Sequence, residues 1–190
     1  MMTHSFSDIE LTTARLFLRA LKQSDAAALF QIHSDPEFMQ YWSSPPWQTI
    51  DQAHAKIAAD QLALAAGEHL RLGIFLKQTE ELIGTVSLFH FDTQSKRAEL
   101  GYGIASTHWR KGYMHEAVKA VITYAFNQLG LRRLEADVDP RNLASMRSLE
   151  KLGFLQEGLL RERWIVAGVV SDTALFGLLA SDFFKAGTMT

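Results

Sequence analysis

The sequence predicts a mixed α+β fold: a mostly antiparallel sheet of about seven strands in which one pair runs parallel. Three β-rich runs, Leu70 to Leu76, Glu81 to Phe91 and Arg97 to Ile104, follow one another across short polar turns, which reads as an antiparallel meander. A stretch with one apolar helical face then separates Arg97–Ile104 from Leu134–Val138, and such a β-α-β crossover makes those two strands parallel neighbours. Leu155 to Val166 and Val169 to Leu178 form a closing strand pair.

Taken from the start, Leu16, Leu18 and Leu21 around Arg19 suggest a short opening strand. Ser24 stands as N-cap to a helix carrying Ala28, Leu29 and Ile32. Asp35-Pro36 restarts a short helical turn, and Tyr41 to Trp47 is irregular because it contains two prolines. Thr49 with Gln52 three residues on is a capping box for an Ala-rich helix that runs to about Ala66 and ends at Gly67. After the meander, Ala117, Val118, Val121, Ile122, Ala125, Phe126 and Leu129 keep a 3-4 spacing, so a helix with one buried face runs from Met114 and is closed by Gly130. A further helix is expected over Asn142 to Leu152, ended by Gly153. No repeat or linker divides the chain, so residues 1–190 read as one domain.

Composition narrows the function classes. A net charge of −2 gives no field that would favour nucleic acid as a partner. The absence of cysteine removes disulfides, thiolate metal sites and a Cys nucleophile together. The seven histidines (His4, His33, His54, His69, His90, His108, His115) make no i, i+4 ligand pair, so no metal is expected. Met1 to Glu10 does not read as a signal peptide, and no apolar run approaches the ~20 residues needed to cross a bilayer. The expected setting is therefore cytoplasmic, without membrane contact.

The most informative stretch runs from Ala98 through Leu100-Gly101-Tyr102-Gly103-Ile104-Ala105 to Trp109-Arg110-Lys111-Gly112-Tyr113-Met114-His115-Glu116. Here a strand passes through a basic, glycine-bearing turn into a long helix. The first amides of that helix have no intrahelical acceptor and sit at the positive end of its dipole, a place suited to a pyrophosphate. Gly112 would let the backbone approach phosphate oxygens, with Arg110 and Lys111 adding charge. A glycine merely easing the turn is the competing reading. A dinucleotide site at Gly101-x-Gly103 is a weak alternative, because the third glycine and an early βαβ unit are missing.

Trp109-x-Lys111-Gly112-Tyr113-Met114-x-Glu116-Ala117 resembles the acyl-CoA signature of the GCN5-related N-acetyltransferases, in the branch of the RimJ- and RimL-like ribosomal-protein N-terminal acetyltransferases. Two further stretches are similar to that branch: Asp139-Pro140-Arg141-Asn142-Leu143-Ala144-Ser145 with Leu149-Glu150-Lys151-Leu152-Gly153-Phe154, and the opening Thr13-Ala14-Arg15-Leu16-x-Leu18-Arg19. The resemblance spans about Thr12 to Phe184 in the family's order. It implies a twisted sheet with helices on both faces and a splayed parallel pair, acetyl-CoA as donor, and a primary amine as acceptor, most of all a protein N-terminal α-amine. A small amine is the alternative acceptor, and a non-catalytic acyl-CoA-binding module the alternative class. Homodimerisation is left open.

The resemblance also implies a site. Main-chain groups of Tyr102, Gly103, Ile104 and Ala105 would pair with the pantetheine as a strand would, and an amide near Ile104 would meet the oxyanion. Amides of Arg110, Lys111, Gly112, Tyr113, Met114 and His115 would hold the diphosphate. Asn142 would contact the pantetheine, although a plain N-cap explains it equally. Without cysteine, direct attack in a ternary complex is the natural scheme. Glu99 is the first candidate for general base, with Glu162 and Asp172 in reserve; a rim carboxylate paired with Arg97 or with a neighbouring strand is the other reading of Glu99. Leu149 stands where many relatives carry a catalytic tyrosine, and Ser145 takes the acid role in the branch resembled, against a plain helix-surface hydroxyl. The acceptor would enter between the loop Tyr41 to Trp47 and the hairpin around Ala167-Gly168, while Trp42 and Trp47 could equally pack under the Ala-rich helix.

Overall fold

A computed structural model describes residues 5–187; His4 and the first residues of the opening segment lie outside them. Eight strands form one sheet: β1 (Glu10–Thr12), β2 (Leu16–Arg19), β3 (Leu70–Leu76), β4 (Leu82–Asp92), β5 (Arg97–Ile104), β6 (Arg133–Val138), β7 (Leu155–Val166) and β8 (Val169–Leu179). Their order is β1-β2-β3-β4-β5-β6-β8-β7, and only β5 with β6 is parallel. The helices are α1 (Ala26–Ser34), α2 (Pro36–Met39), α3 (Ile50–Ala66), α4 (Tyr113–Asn127), α5 (Leu143–Lys151) and α6 (Ala180–Gly187). No helix among the described residues is long and apolar enough to cross a membrane.

The expected elements are present, with local corrections. β1 and α6 add to the expected set. Ser24 lies inside a 3-10 turn, Gln23–Asp25, and the Asp25 carboxylate caps that turn by accepting from the Lys22 amide at 2.7 Å. Asp35 caps α2 by accepting from the Glu37 amide at 2.9 Å, with Pro36 as its first residue. Of the expected capping box, the Gln52 arm is made: its Oε1 accepts from the amides of Thr49 and Gln48. Gly67 ends α3 at φ 71°, a left-handed turn that costs glycine nothing.

Alternation along the strands assigns the two faces of the sheet. Leu72 and Ile74 of β3, Val86 and Leu88 of β4, Leu100 and Ile104 of β5, and Leu134 and Ala136 of β6 share a core with Val118, Val121 and Ile122 of α4. The opposite face packs its Phe75 and Leu82 against Leu29, Ile57 and Phe38 of α1–α3. Apart from Phe89, which lies over Gly101, the residues of that second face over the middle strands are mostly polar or small: Arg71, Thr85, Ser87, Gly101, Gly103, Asp137 and Thr173. A sheet face with so few apolar side chains is not sealed by a helix, and this is where the molecule opens.

Candidate active site

α4 begins with Gly112 as its N-cap at φ 78°, preceded by Arg110 at φ 61°. The first helical bond is Glu116 N–H to the Gly112 carbonyl, 3.2 Å. Among the described residues, the amides of Arg110 through His115 find no acceptor within the protein. Six consecutive free donors at the positive end of a 15-residue helix form a cradle for an anion. The helix start is clamped from the opening segment. Glu116 accepts from Thr13 Oγ1 at 2.6 Å and from Arg15 N and Nε at 2.8 and 2.7 Å, while Arg15 Nη1 donates to the Lys111 carbonyl. Arg15 also lies over the Tyr113 ring, 4.5 Å from its centre. Lys111 Nζ donates to the Thr107 carbonyl, whereas the Arg110 side chain is exposed. Met114 packs against the core, and His115 borders a groove of about 670 Å³ that runs along α4 past Gly112 and Lys119.

Beside this cradle the parallel strands part. β5 and β6 pair only at Arg97–Arg133, Ala98–Leu134 and Glu99–Glu135, although β5 continues to Ile104 and β6 to Val138. On the β4 side, the Ala105 amide bonds to the Ile83 carbonyl at 2.8 Å. Antiparallel ladders alternate their hydrogen-bonding direction, so Gly103 and Ala105 turn their main-chain groups toward β4, and Tyr102 and Ile104 turn theirs toward the gap. Of the four residues expected to pair with an extended ligand, two are therefore positioned to do so through the main chain. The Ile104 carbonyl is already taken by Trp109 Nε1 at 2.6 Å, a bond that fixes the turn between β5 and α4 and leaves the Ile104 amide pointing into the gap.

The gap widens into a cleft of about 710 Å³ bordered by Tyr102, Asn142 and Ser145, by the loop 40–46, and by Trp164, Ala167 and Val169 of the closing hairpin. The loop and hairpin expected to flank the acceptor thus face each other across it. Asn142 caps α5, its Oδ1 accepting from the Ser145 amide at 3.1 Å. Ser145 Oγ is 2.9 Å from the Tyr102 hydroxyl. Burial pushes the Tyr102 phenol up to about 12, partly offset by Ser145 and Ser148, so it stays a neutral hydroxyl. Leu149 is fully buried in the core.

Glu99 pairs with His90 Nδ1 of the neighbouring strand β4 at 3.1 Å, as the reading of Glu99 as a rim carboxylate allows, while Arg97 is bound to Glu135 at 2.7 Å. The carboxylate that borders the cleft is Asp137, two residues beyond the last β5–β6 pair. Although solvent reaches it, the surrounding walls raise its pKa, and the negative charge of Glu99 adds to the rise. Asp139 also borders the cleft but is held well below the usual carboxylate range by its hydrogen bonds from Arg141. Asp172 accepts from the Glu162 amide at 2.8 Å, which occupies it in shaping the β7 bulge where Glu162 takes φ 53°.

The two tryptophans divide. Trp47 stacks on His33 at 4.2 Å between ring centres and packs beneath the loop, while Trp42 touches both His33 and Phe38 and borders the cleft. A Cβ on Gly103 would meet Phe38 and Trp42 at 2.7 Å, so that glycine lets the loop lie on the sheet. Arg71 and Asp137 were not among the expected site residues. Their only signal was a charge in the apolar run Leu70-Arg71-Leu72 and in the alternating strand of β6. Among the described residues no three His, Asp or Glu side chains gather as a metal site.

Comparison with known proteins places this geometry. The family model described as "Acetyltransferase (GNAT) domain" matches residues 15–155. The chain is 38% identical over 173 residues to the uncharacterised N-acetyltransferase p20 of Bacillus licheniformis, covering 91% of this chain and 97% of that one. It is 28% identical to the [ribosomal protein uS5]-alanine N-acetyltransferase of Escherichia coli, over 92% and 93% of the two chains. It is 25% identical to the spermidine N(1)-acetyltransferase of Vibrio cholerae, over 90% and 97%. A solved Vibrio cholerae structure, a candidate ribosomal-protein-serine acetyltransferase, superposes with a TM-score of 0.79 at 30% identity, covering 91% and 98%.

Proposed function

The chain belongs to the GNAT acetyltransferase family, and from that premise we propose that it acetylates a protein N-terminal α-amine with acetyl-CoA as donor. The parting of β5 from β6 next to six free amides carries this reading. An open strand edge fits an extended chain of amides, and a helix start with free N–H groups fits a diphosphate. When bound there, acetyl-CoA supplies an acetyl thioester whose C–S bond breaks as the acceptor's C–N bond forms.

The chain's own residues then handle protons and position. The acceptor enters as an amine that is partly protonated near neutral pH. Its proton leaves to a carboxylate, Asp137, which borders the cleft and whose proton affinity is raised by burial and by the negative charge of Glu99. The Ile104 amide, free on the gap side, lies where a developing negative charge on oxygen would be met. Ser145, with the neutral Tyr102 hydroxyl behind it, holds the proton that the departing sulfur requires.

Two features favour an N-terminus over a polyamine. The cleft is open between loop and hairpin, and its charges do not form an acidic trough. Asp139 is paired with Arg141, and Arg71 sits in the floor. Thiol release from acetyl-CoA, measured with short peptides carrying free N-termini, with their N-formylated forms and with spermidine, tests the reading. Turnover with free-N-terminal peptides is expected; turnover with spermidine alone would replace the acceptor.

A further inference from the structure

Arg71 is a largely buried cation whose ion-pair partner, Asp60, is shared with Lys56. It rises from the middle of β3 opposite Ser87 of β4, which stands opposite Gly101 of β5. Its side chain is 14% exposed and borders the cleft. Among the described residues its guanidinium makes no hydrogen bond: Nε is buried without an acceptor, and the nearest carboxylate oxygen, Asp60 Oδ2, is 3.5 Å away and equally unpartnered. The other oxygen of Asp60 is engaged by Lys56 Nζ at 2.6 Å. Two cations thus share one carboxylate.

The surroundings do not supply the missing charge. Burial, reinforced by the positive charge of Arg71, holds His33 and His69 neutral, with pKa values of about 3 and about 4. Burial and Arg71 likewise lower Lys56, as an excess of positive charge would. A largely buried charge whose ion pair is long and shared is incompletely compensated, and a guanidinium that makes no hydrogen bond is matched best by a two-oxygen anion. Thr85 and Ser87, both nearly fully buried beside it, offer hydroxyls along the same floor.

We infer that Arg71 is a specificity residue that binds an anionic group, a carboxylate, on the same molecule that presents the amine. The inference rests on the reading of this cleft as the acceptor site of an acetyltransferase. Arg71 on β3 and Asp137 on β6 bracket the Ser87–Gly101 floor with opposite charges, so an acceptor with an amine at one end and a carboxylate at the other is oriented by both. Two sources carry that chemistry: a free amino acid, and a peptide whose residue next to the N-terminus is acidic. A polyamine carries no such group and would meet Arg71 as a like charge.

The test compares matched acceptors in thiol release: amino acids against their carboxamides, and N-terminal peptides with Asp against Asn at the second position. In the wild type the acid form is expected to win by roughly tenfold to a hundredfold in kcat/KM in one arm, and that arm names the source. Arg71→Gln should erase the preference, and Arg71→Lys should keep part of it. Thermal stability gives a readout independent of turnover. N-acetylated amino acids and N-acetylated Asp peptides should raise the Tm of the wild type more than their amide counterparts, and should not do so in Arg71→Gln. Equal behaviour of acid and amide forms in both readouts, or a preference that survives Arg71→Gln, overturns the inference. If CoA shifts nothing and no amine releases thiol while the Arg71-dependent shift persists, the anion site stands and the acetyltransferase reading falls.

Discussion

The Tyr102–Ser145 contact is the smallest unit of the proposed chemistry. Ser145 alone is a hydroxyl on a helix; held 2.9 Å from a phenol whose pKa is about 12, it becomes part of a relay that can donate without being ionised first. Ser145→Ala should lower kcat by about 10² or more while leaving CoA affinity nearly unchanged, because the cradle at α4 is untouched. Tyr102→Phe should lower kcat less and cost about 1 kcal/mol of stability through the lost hydrogen bond. Steady-state kinetics alongside a CoA titration separates the two effects. Equal turnover in Ser145→Ala removes the serine from proton transfer and leaves Asn142 and Ser145 as a helix cap alone.

Among the elements, the opening of α4 is where backbone geometry and ligand chemistry meet. Gly112 stands at φ 78°, so any L-residue is strained there by about 1–2 kcal/mol. Gly112→Ala carries that strain alone; Gly112→Asp adds a negative charge among amides proposed to hold a diphosphate. Both should lose similar thermal stability, and only the aspartate variant should lose CoA binding altogether. Unchanged CoA affinity in Gly112→Asp would remove the cradle from the site. This start was legible in the sequence because a glycine and two basic residues sit between an alternating strand and a 3-4 apolar pattern, both local signals. The bounds of β3, β5 and β7 were legible for the same reason. β1 was not, since Glu10–Thr12 is three residues with no apolar alternation and exists by pairing with β2. α6 was not, because its Phe183 and Phe184 are defined by packing on Phe126 of α4. Arg71 escaped for a deeper reason: its long, shared ion pair depends on how α3 brings Asp60 and Lys56 beside β3, a tertiary fact that no spacing along β3 encodes.

Across the molecule, α1, α3, β3 and the loop 40–47 meet at a cluster of neutral histidines, and this couples the cleft to pH. His33 is 3% exposed, stacks on Trp47, and its carbonyl accepts from the Trp47 amide. His69 stands near Arg71 from the other side. Both have folded pKa values, about 3 and about 4, below their ordinary value near 6.5. A group whose pKa is lower in the folded state binds protons preferentially when unfolded, so its contribution is present above about pH 6.5 and drains away as pH falls toward 4. Each group adds at most ~1.4 kcal/mol of lost stability per pH unit in that window, and the two together approach twice that. Carboxylates with lowered pKa values, such as Glu116, Glu157 and Asp139, begin to add their own loss below about pH 5, so the histidine contribution is read between about pH 6.5 and 5. Urea unfolding at pH 7.5, 6, 5 and 4.5 should show a falling free energy with a slope approaching two protons. His33→Phe, which keeps the aromatic packing, should reduce that slope by one. Because Trp42 and Trp47 both rest on His33, their fluorescence should change together with the stability loss. A flat profile between pH 7.5 and 5 would mean that the histidines find protons inside the fold, and the excess positive charge assigned to the cleft floor would have to be redrawn.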